Sequence, residues 1–80
     1  MTFKDKYWES DSWHEKVIIV EIYHFTGKHR HNDWTISKTA AYFGISVGLV
    51  SENLKLADAL HQNPKLIECS NRQAALEKIR

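Results

Sequence analysis

The 80-residue sequence predicts an all-α fold, a small bundle of four to five helices. Apolar residues recur at helical spacing in several segments, glycine or proline follows most of these segments, and no segment alternates like a strand. Hydrophobic residues make up 42% of the chain and charged residues 26%, which is typical of a globular domain. A chain of this length has room for a single hydrophobic core.

The first predicted helix spans about Trp13 to Thr26. Ser12 followed by Glu15 has the form of a capping box, in which each residue satisfies a backbone N–H of the first turn. Gly27 stands where a C-terminal glycine is expected, so we predict that the helix ends there. The positions that recur at helical spacing are Trp13, Val17, Val20 and His24.

The residues before this helix show no clear period. Residues 1–12 are mixed and aromatic, so we expect an extended N-terminal arm, followed by a single domain over residues 13–80. The arm carries charges and lacks an apolar run, so we do not expect it to be a signal peptide or a membrane anchor.

Two further helices are predicted close together. Thr35 offers an N-cap hydroxyl for a short helix that ends at Gly44. Ser46 offers the next N-cap, and the apolar spacing after it predicts a helix of roughly fifteen residues. Asn63-Pro64 is expected to end that helix, because proline cannot continue it.

The last part of the chain is predicted to be helical as well. Pro64 suits the first turn of a short helical segment. Ser70 with Gln73 forms a second capping-box pattern ahead of a final short helix.

The second and third helices have the residue types of a helix-turn-helix. Two helices joined at a steep angle need a small residue where they come closest, and Ala40 supplies it. The turn needs a residue that tolerates positive φ, and Gly44 lies four residues later. We expect Ile45 and Val50 to fill the angle between the helices. The motif predicts that the third helix enters the major groove of DNA while the second crosses the phosphates.

The base-reading residues are predicted from the side chains that packing does not use. Ser51 can donate or accept at a base edge, Glu52 can accept from the amino group of cytosine, and Val47 can contact a thymine methyl group. Glycine in a first helical turn costs up to about 1 kcal/mol relative to alanine, so we expect a close approach of DNA at Gly48. The predicted base-reading residues are Val47, Gly48, Ser51 and Glu52.

Phosphate contacts are expected from the helix starts and from one lysine further along. Free backbone N–H groups, hydroxyls and the positive end of the helix dipole favour an anion at a helix N-terminus. The predicted phosphate-binding residues are Thr35, Ser37, Lys38, Ser46 and Lys55.

Residues Thr39–Ser46, followed by Val50–Ala57, resemble the helix-turn-helix of ParB/KorB-type partition and repressor proteins and of similar phage-encoded proteins. The resemblance covers about residues 34–79. It implies binding to double-stranded DNA by the third helix, in a regulatory, partition or replication system of bacterial, plasmid or phage origin. The arginine-rich motif and nucleotide-binding domain of the partition proteins are not recognisable, so a CTPase activity is not implied.

The low net charge of +1 leaves a second interpretation open. Helices at a right angle can also dock proteins, so the alternative is an interaction module within a DNA-processing assembly. A homodimer is expected because one short helix reads few base pairs, with the segment Phe3–Trp8 or the last helix as candidate interfaces. We expect no membrane partner and no small-molecule substrate.

The histidines and the single cysteine suggest no catalysis. His24, His29 and His31 with Asp33 could bind a metal ion, but their spacing matches no closed tetrahedral pattern; solvated histidines or phosphate contacts are alternatives. Because Cys69 is the single cysteine, an internal disulfide is excluded, and a reducing compartment such as the cytoplasm is favoured. We expect the Cys69 side chain to be a small buried apolar group. No nucleophile, glycine-rich loop or carboxylate pair is recognisable, so we predict a non-enzyme without cofactor or metal.

Overall fold

The computed structural model describes residues 2–79, and over this range it is all-α, as predicted. Met1 and Arg80, the outer ends of the predicted arm and domain, lie outside the described residues. The elements are α1 (Phe3–Glu9), α2 (Trp13–Arg30), α3 (Ile36–Phe43), α4 (Val47–Gln62), a 3-10 segment (Pro64–Glu68) and α5 (Arg72–Ile79).

The expected extended arm is instead the helix α1, so that prediction is wrong. The Thr2 hydroxyl accepts a hydrogen bond from the Asp5 N–H at 3.1 Å, and the Asp5 carboxylate accepts one from the Thr2 N–H at 3.4 Å. This reciprocal pair is a capping box. Seven residues are too few for a stable isolated helix, so α1 depends on tertiary packing that periodicity within the segment does not reveal.

That packing joins α1 to the end of α3. Tyr7 is buried, and its ring centroid lies 5.2 Å from that of Phe43. The indole N–H of Trp8 donates to the backbone carbonyl of Phe43 at 3.0 Å. Because this carbonyl belongs to the last residue of α3, α1 satisfies a group that the helix itself leaves unpaired.

Helix α2 runs past Gly27 to Arg30, so the predicted C-terminal glycine is inside the helix. A β-carbon at Gly27 would lie 2.5 Å from Cε2 of Trp34. The glycine is therefore explained by the tryptophan packed against it rather than by a helix end.

The start of α2 also differs from the prediction. Ser12 is the N-cap but makes no side-chain capping hydrogen bond. Glu15 accepts a hydrogen bond at 2.8 Å from the hydroxyl of Ser10 instead. The predicted capping box of Ser12 and Glu15 is therefore wrong, because the Glu15 carboxylate is hydrogen-bonded to Ser10 and not to the backbone of Ser12.

The N-cap of α5 is Asn71 and not Ser70, so the helix begins one residue later than the predicted capping box of Ser70 and Gln73 implies. The Asn71 side-chain oxygen accepts a hydrogen bond from the Ala74 N–H at 2.8 Å. Asparagine and serine are about equally good N-caps, so the local pattern did not decide between them.

The boundaries of α3 and α4 are confirmed. The hydroxyl of Thr35 accepts a hydrogen bond from the Lys38 N–H at 3.3 Å, and that of Ser46 accepts one from the Leu49 N–H at 3.1 Å. Gly44 has φ 74° and ψ 35°, the left-handed conformation that glycine adopts without strain.

The core has two parts, joined by α2 and α4. One part lies between α2, α4, the 3-10 segment and α5, and its buried members are Val17, Leu56, Ala57, Leu60, Leu66, Ala75 and Leu76. The other part lies where α1 and α3 meet α2 and α4, and its buried members are Tyr7, Val20, Ala40, Phe43 and Val50. The second part holds the start of α4 in place.

Candidate functional site

The turn between α3 and α4 is held by one carbonyl group. The backbone oxygen of Ala40 accepts hydrogen bonds from the N–H groups of Gly44 and Ile45, at 2.9 and 3.1 Å. Ala40 and Val50 are buried in the core beside the turn, and Ile45 packs against the same cluster. The predicted packing roles of these three residues are confirmed, and the turn fixes how α4 begins.

Four of the predicted DNA-contacting residues share the outward face of α4. Helical spacing puts Val47, Gly48, Ser51 and Lys55 on the side opposite the buried positions of this helix. Val47 is 48% exposed, Gly48 and Lys55 are exposed, and Ser51 is half-buried. We refer to these four residues as the α4 outward face.

Gly48 has no packing role within the fold. A β-carbon at this position would meet no atom within 4 Å. Its φ is also not in the left-handed region, since Gly44 is the positive-φ glycine of the chain. Alanine would therefore fit here and would favour the helix.

Glu52 lies at the edge of the outward face and is paired with α5. The Arg72 Nη2 donates to the Glu52 Oε1 at 2.5 Å, and the Arg72 Nε donates to the Asn53 Oδ1 at 2.9 Å. The carboxylate that is predicted to accept from the amino group of cytosine is thus held by a guanidinium group, and its base-reading role stays a prediction. The pair also offsets the negative charge beside the face.

Sequence reasoning missed Arg72 and Asn53. Asn53 is 2% exposed and stands at a core position of α4, where a polar side chain needs a hydrogen-bonding partner. A buried asparagine in an apolar stripe was thus a usable signal. The identity of its partner, nineteen residues later in another helix, was not readable from spacing.

The start of α3 presents three more of the predicted phosphate-binding residues, and the remaining one, Ser46, is the N-cap of α4. Ser37 is exposed, whereas the hydroxyl of Thr35 is used as the helix cap. The Lys38 Nζ lies 3.3 Å from the Asp33 Oδ2, and both side chains are exposed. The hydrogen bond from Lys38 lowers the pKa of Asp33. Exposed pairs of this kind contribute little stability, so Lys38 can exchange Asp33 for another anion at small cost.

His24 differs from the other histidines, because it is buried and bonded in the core. Its Nδ1 lies 2.7 Å from the Thr39 hydroxyl, which also accepts a hydrogen bond from the Trp34 indole N–H at 2.9 Å. An indole N–H only donates, so the hydroxyl hydrogen of Thr39 remains available for His24. Burial, together with the charge of Lys28, lowers the pKa of His24. The expectation of a solvated residue is wrong for His24.

The metal-site alternative gains no support from the arrangement of side chains. His29 and His31 are exposed, whereas His24 is directed to Thr39. Residues 2–79 contain no group of three or more histidine, cysteine, aspartate or glutamate side chains able to hold a metal ion. Cys69 is partly buried rather than buried, and its carbonyl accepts a hydrogen bond from the Trp13 indole at 3.0 Å.

The candidate site therefore comprises the α4 outward face and the start of α3. Over the described part of the chain, no helix combines the length and apolar character needed to cross a bilayer. Comparison with protein-family models, with curated proteins and with solved structures gives no match, and the resemblance to ParB/KorB-type proteins stays a prediction.

Proposed function

We propose that this chain binds double-stranded DNA with sequence preference, using α3 and α4 as a helix-turn-helix. The observation that carries the proposal is the N-terminal end of the α4 outward face, where Val47, Gly48 and Ser51 are small and take little part in packing. Helices that read the major groove contact base edges with residues of this end.

Gly48 supports close approach to DNA in particular. The fold leaves room for a β-carbon at this position, so packing within the chain does not require glycine here. Glycine is nevertheless present, although alanine would favour the helix. In the proposed complex the missing side chain allows a base edge or a phosphate to approach the backbone of α4. Val47 then lies within reach of a thymine methyl group, and Ser51 within reach of a base edge.

The electrostatic character of the surface is compatible with phosphate. Arg72 neutralises Glu52, Lys55 extends the outward face by a positive charge, and the start of α4 carries the positive end of the helix dipole. In the complex Lys38 exchanges Asp33 for a phosphate. Because the net charge is only +1, we expect weak binding to random DNA and a larger share of base contacts in the specific complex.

A salt titration with a fluorescent duplex of random sequence tests the proposal. The association constant should fall linearly with salt on logarithmic axes, because each phosphate contact releases counterions. Selection of bound duplexes from a random pool should then yield a consensus sequence. Absence of binding both to the random duplex at low salt and in the selection, or a flat salt response, would instead favour a protein-interaction module.

A small domain that prefers a DNA sequence suits a transcription regulator, or a partition or replication factor, in the cytoplasm of a bacterium or on plasmid or phage DNA. The resemblance of residues 34–79 to ParB/KorB-type proteins supports this setting. The consensus obtained by selection would show whether the bound site is a single half-site or a palindrome.

A further inference from the structure

The outer side of α2 carries an apolar stripe that the described chain covers only in part: Ile18 packs partly against the core, and the Lys28 Nζ lies 5.8 Å from the centroid of the Phe25 ring. Ile18, Ile22 and Phe25 follow each other at helical spacing, on the side of α2 away from the buried Val17 and Val20. Ile22 is 47% exposed and Phe25 is 52% exposed. Large apolar side chains grouped in this way mark an interaction surface more often than singly exposed ones do.

We infer that a second copy of this chain covers the stripe, with the two α2 helices antiparallel about a two-fold axis at Ile22. In this arrangement Ile22 meets Ile22 of the second copy. Ile18 of each copy lies next to Phe25 of the other, so that the same residues supply both sides of the contact.

Charge along α2 supports a second copy in antiparallel orientation. The first turn of the helix carries Glu15, and the last turn carries the basic residues Lys28, His29 and Arg30. Antiparallel pairing places Glu15 of one copy beside the last turn of the other, where the cations Lys28 and Arg30 flank His29, at both ends of the contact. Parallel pairing would place basic ends together, and the helix dipoles would then repel as well.

A groove beside the stripe adds a concave surface. It has a volume of about 500 Å³ and lies between α1 and α2, with His14, Ile18 and Ile19 among its lining residues. Ile18 belongs to both the stripe and the groove. Phe25 of the second copy, which packs next to Ile18, therefore has an apolar recess in which to bury its ring.

The interfaces suggested by the sequence are largely used inside the chain. Tyr7 of α1 is buried against Phe43, and Ala75 and Leu76 of α5 are buried in the core. The outer side of α2, by contrast, carries two large apolar side chains that are about half exposed, Ile22 and Phe25.

The size of the contact predicts a weak dimer. Eighteen residues span about 27 Å of helix, so one helix per copy buries less than the roughly 800 Å² per partner of a standard interface. Both α4 outward faces remain uncovered, because α4 packs on the other side of α2.

Sedimentation velocity of the 80-residue protein, without DNA, tests the dimer over concentrations from about 1 μM to about 1 mM. The wild-type protein should shift from monomer to dimer. Ile22→Glu should stay monomeric because two carboxylates would meet at the axis. Ile67→Glu is the matched control, since Ile67 is 51% exposed on the 3-10 segment, and it should dimerise like the wild type. Circular dichroism checks that both variants fold.

A wild-type protein that stays monomeric at every concentration, or a folded Ile22→Glu variant that still dimerises, would overturn the inference. Because DNA is absent, failure of the dimer is distinguishable from failure of DNA binding.

Charge reversal tests the orientation. Glu15→Lys and His29→Glu should each weaken the dimer by roughly two- to fivefold, as expected for exposed charges. The double variant restores opposite charges across the contact and should dimerise more tightly than either single variant. If the two effects simply add, Glu15 and His29 are not neighbours and the antiparallel arrangement is wrong.

Discussion

The Trp34 indole occupies the space beside Gly27 that a β-carbon would require. The ring belongs to the connection after α2, yet it packs on the helix three residues before its end. Its N–H is bonded to the Thr39 hydroxyl, and His31 stacks on it with 5.7 Å between centroids. Gly27 thus lets the connection pack directly on α2, ahead of the N-cap Thr35 at which α3 begins.

Gly27→Ala should destabilise the protein although alanine favours helix. The new methyl group would lie 2.5 Å from Cε2 of Trp34, whose ring cannot move without losing its bond to Thr39. We expect a loss of about 1–3 kcal/mol, as for other overpacked sites, against a propensity gain of about 1 kcal/mol at most. Urea unfolding measures the difference, and a stabilised variant would show that the ring relocates freely.

Gly48→Ala is the matched substitution in α4, and it should have the opposite effect on stability. The methyl group meets nothing, so the free energy of unfolding should rise by up to about 1 kcal/mol. The same variant should bind the selected duplex more weakly, because the methyl group stands between α4 and the DNA. A more stable variant with unchanged affinity would remove the close approach from the proposal.

Arg72→Met should destabilise the protein more than Glu52→Gln does. Removing the guanidinium leaves the buried Asn53 oxygen without its donor, which costs about 1–3 kcal/mol. Glu52→Gln keeps an acceptor for Arg72 and affects only a partly exposed ion pair, so its cost should be below about 1 kcal/mol. Thermal unfolding compares the two variants. If both variants lose the same free energy of unfolding, Arg72 stabilises the protein through its ion pair with Glu52 and not through its hydrogen bond to Asn53.

His24 predicts how stability depends on pH. Burial, with a further contribution from the charge of Lys28, lowers its pKa in the folded protein, so the unfolded chain binds a proton first as pH falls. Stability contributed by neutral His24 is therefore present above about pH 6.5 and is lost as pH falls toward the lower folded-state value. Unfolding at about pH 7.5 and about pH 5.5 should show this loss, and His24→Gln should show a smaller one. An equal loss in both proteins would assign the effect to other groups.

Lys55 and Lys65 test the phosphate contacts. Lys55 lies on the α4 outward face, whereas Lys65 is exposed on the 3-10 segment at the other end of this helix. Lys55→Ala should reduce the salt slope of DNA binding by about 1 and weaken binding to all sequences alike. Lys65→Ala should leave the slope unchanged. Equal effects of both substitutions would indicate attraction by overall charge rather than by a defined face.

The sequence predicts the α3–α4 region well because its signals are local. Thr35, Gly44 and Ser46 each act within three or four residues of their own position, and helical periodicity assigns the outward face of α4. The same reasoning fails for Gly27, whose role depends on Trp34 in another segment. Gly27 and Gly44 both follow a segment of apolar residues at helical spacing, so the sequence pattern does not distinguish a glycine inside a helix from one that ends it.

Other contacts that the sequence does not predict also join distant segments. Helix α1 is too short to show a period, and it exists because Tyr7 packs on Phe43, thirty-six residues later. Glu52 stands at the expected place on α4, but Arg72 from α5 engages it. Periodicity predicts which face of a helix a side chain lies on, but it does not predict which side chain of another helix will bind it.

Each of the three tryptophans joins two segments through its indole N–H: Trp8 to the Phe43 carbonyl, Trp13 to the Cys69 carbonyl and Trp34 to the Thr39 hydroxyl. The molecule thereby contains its own optical reporters. Variants that retain one tryptophan each, with phenylalanine at the other two positions, would let intrinsic fluorescence follow three junctions separately. Coincident melting curves would establish a single cooperative unit, and an early transition at Trp8 would identify the α1–α3 junction as the first to open.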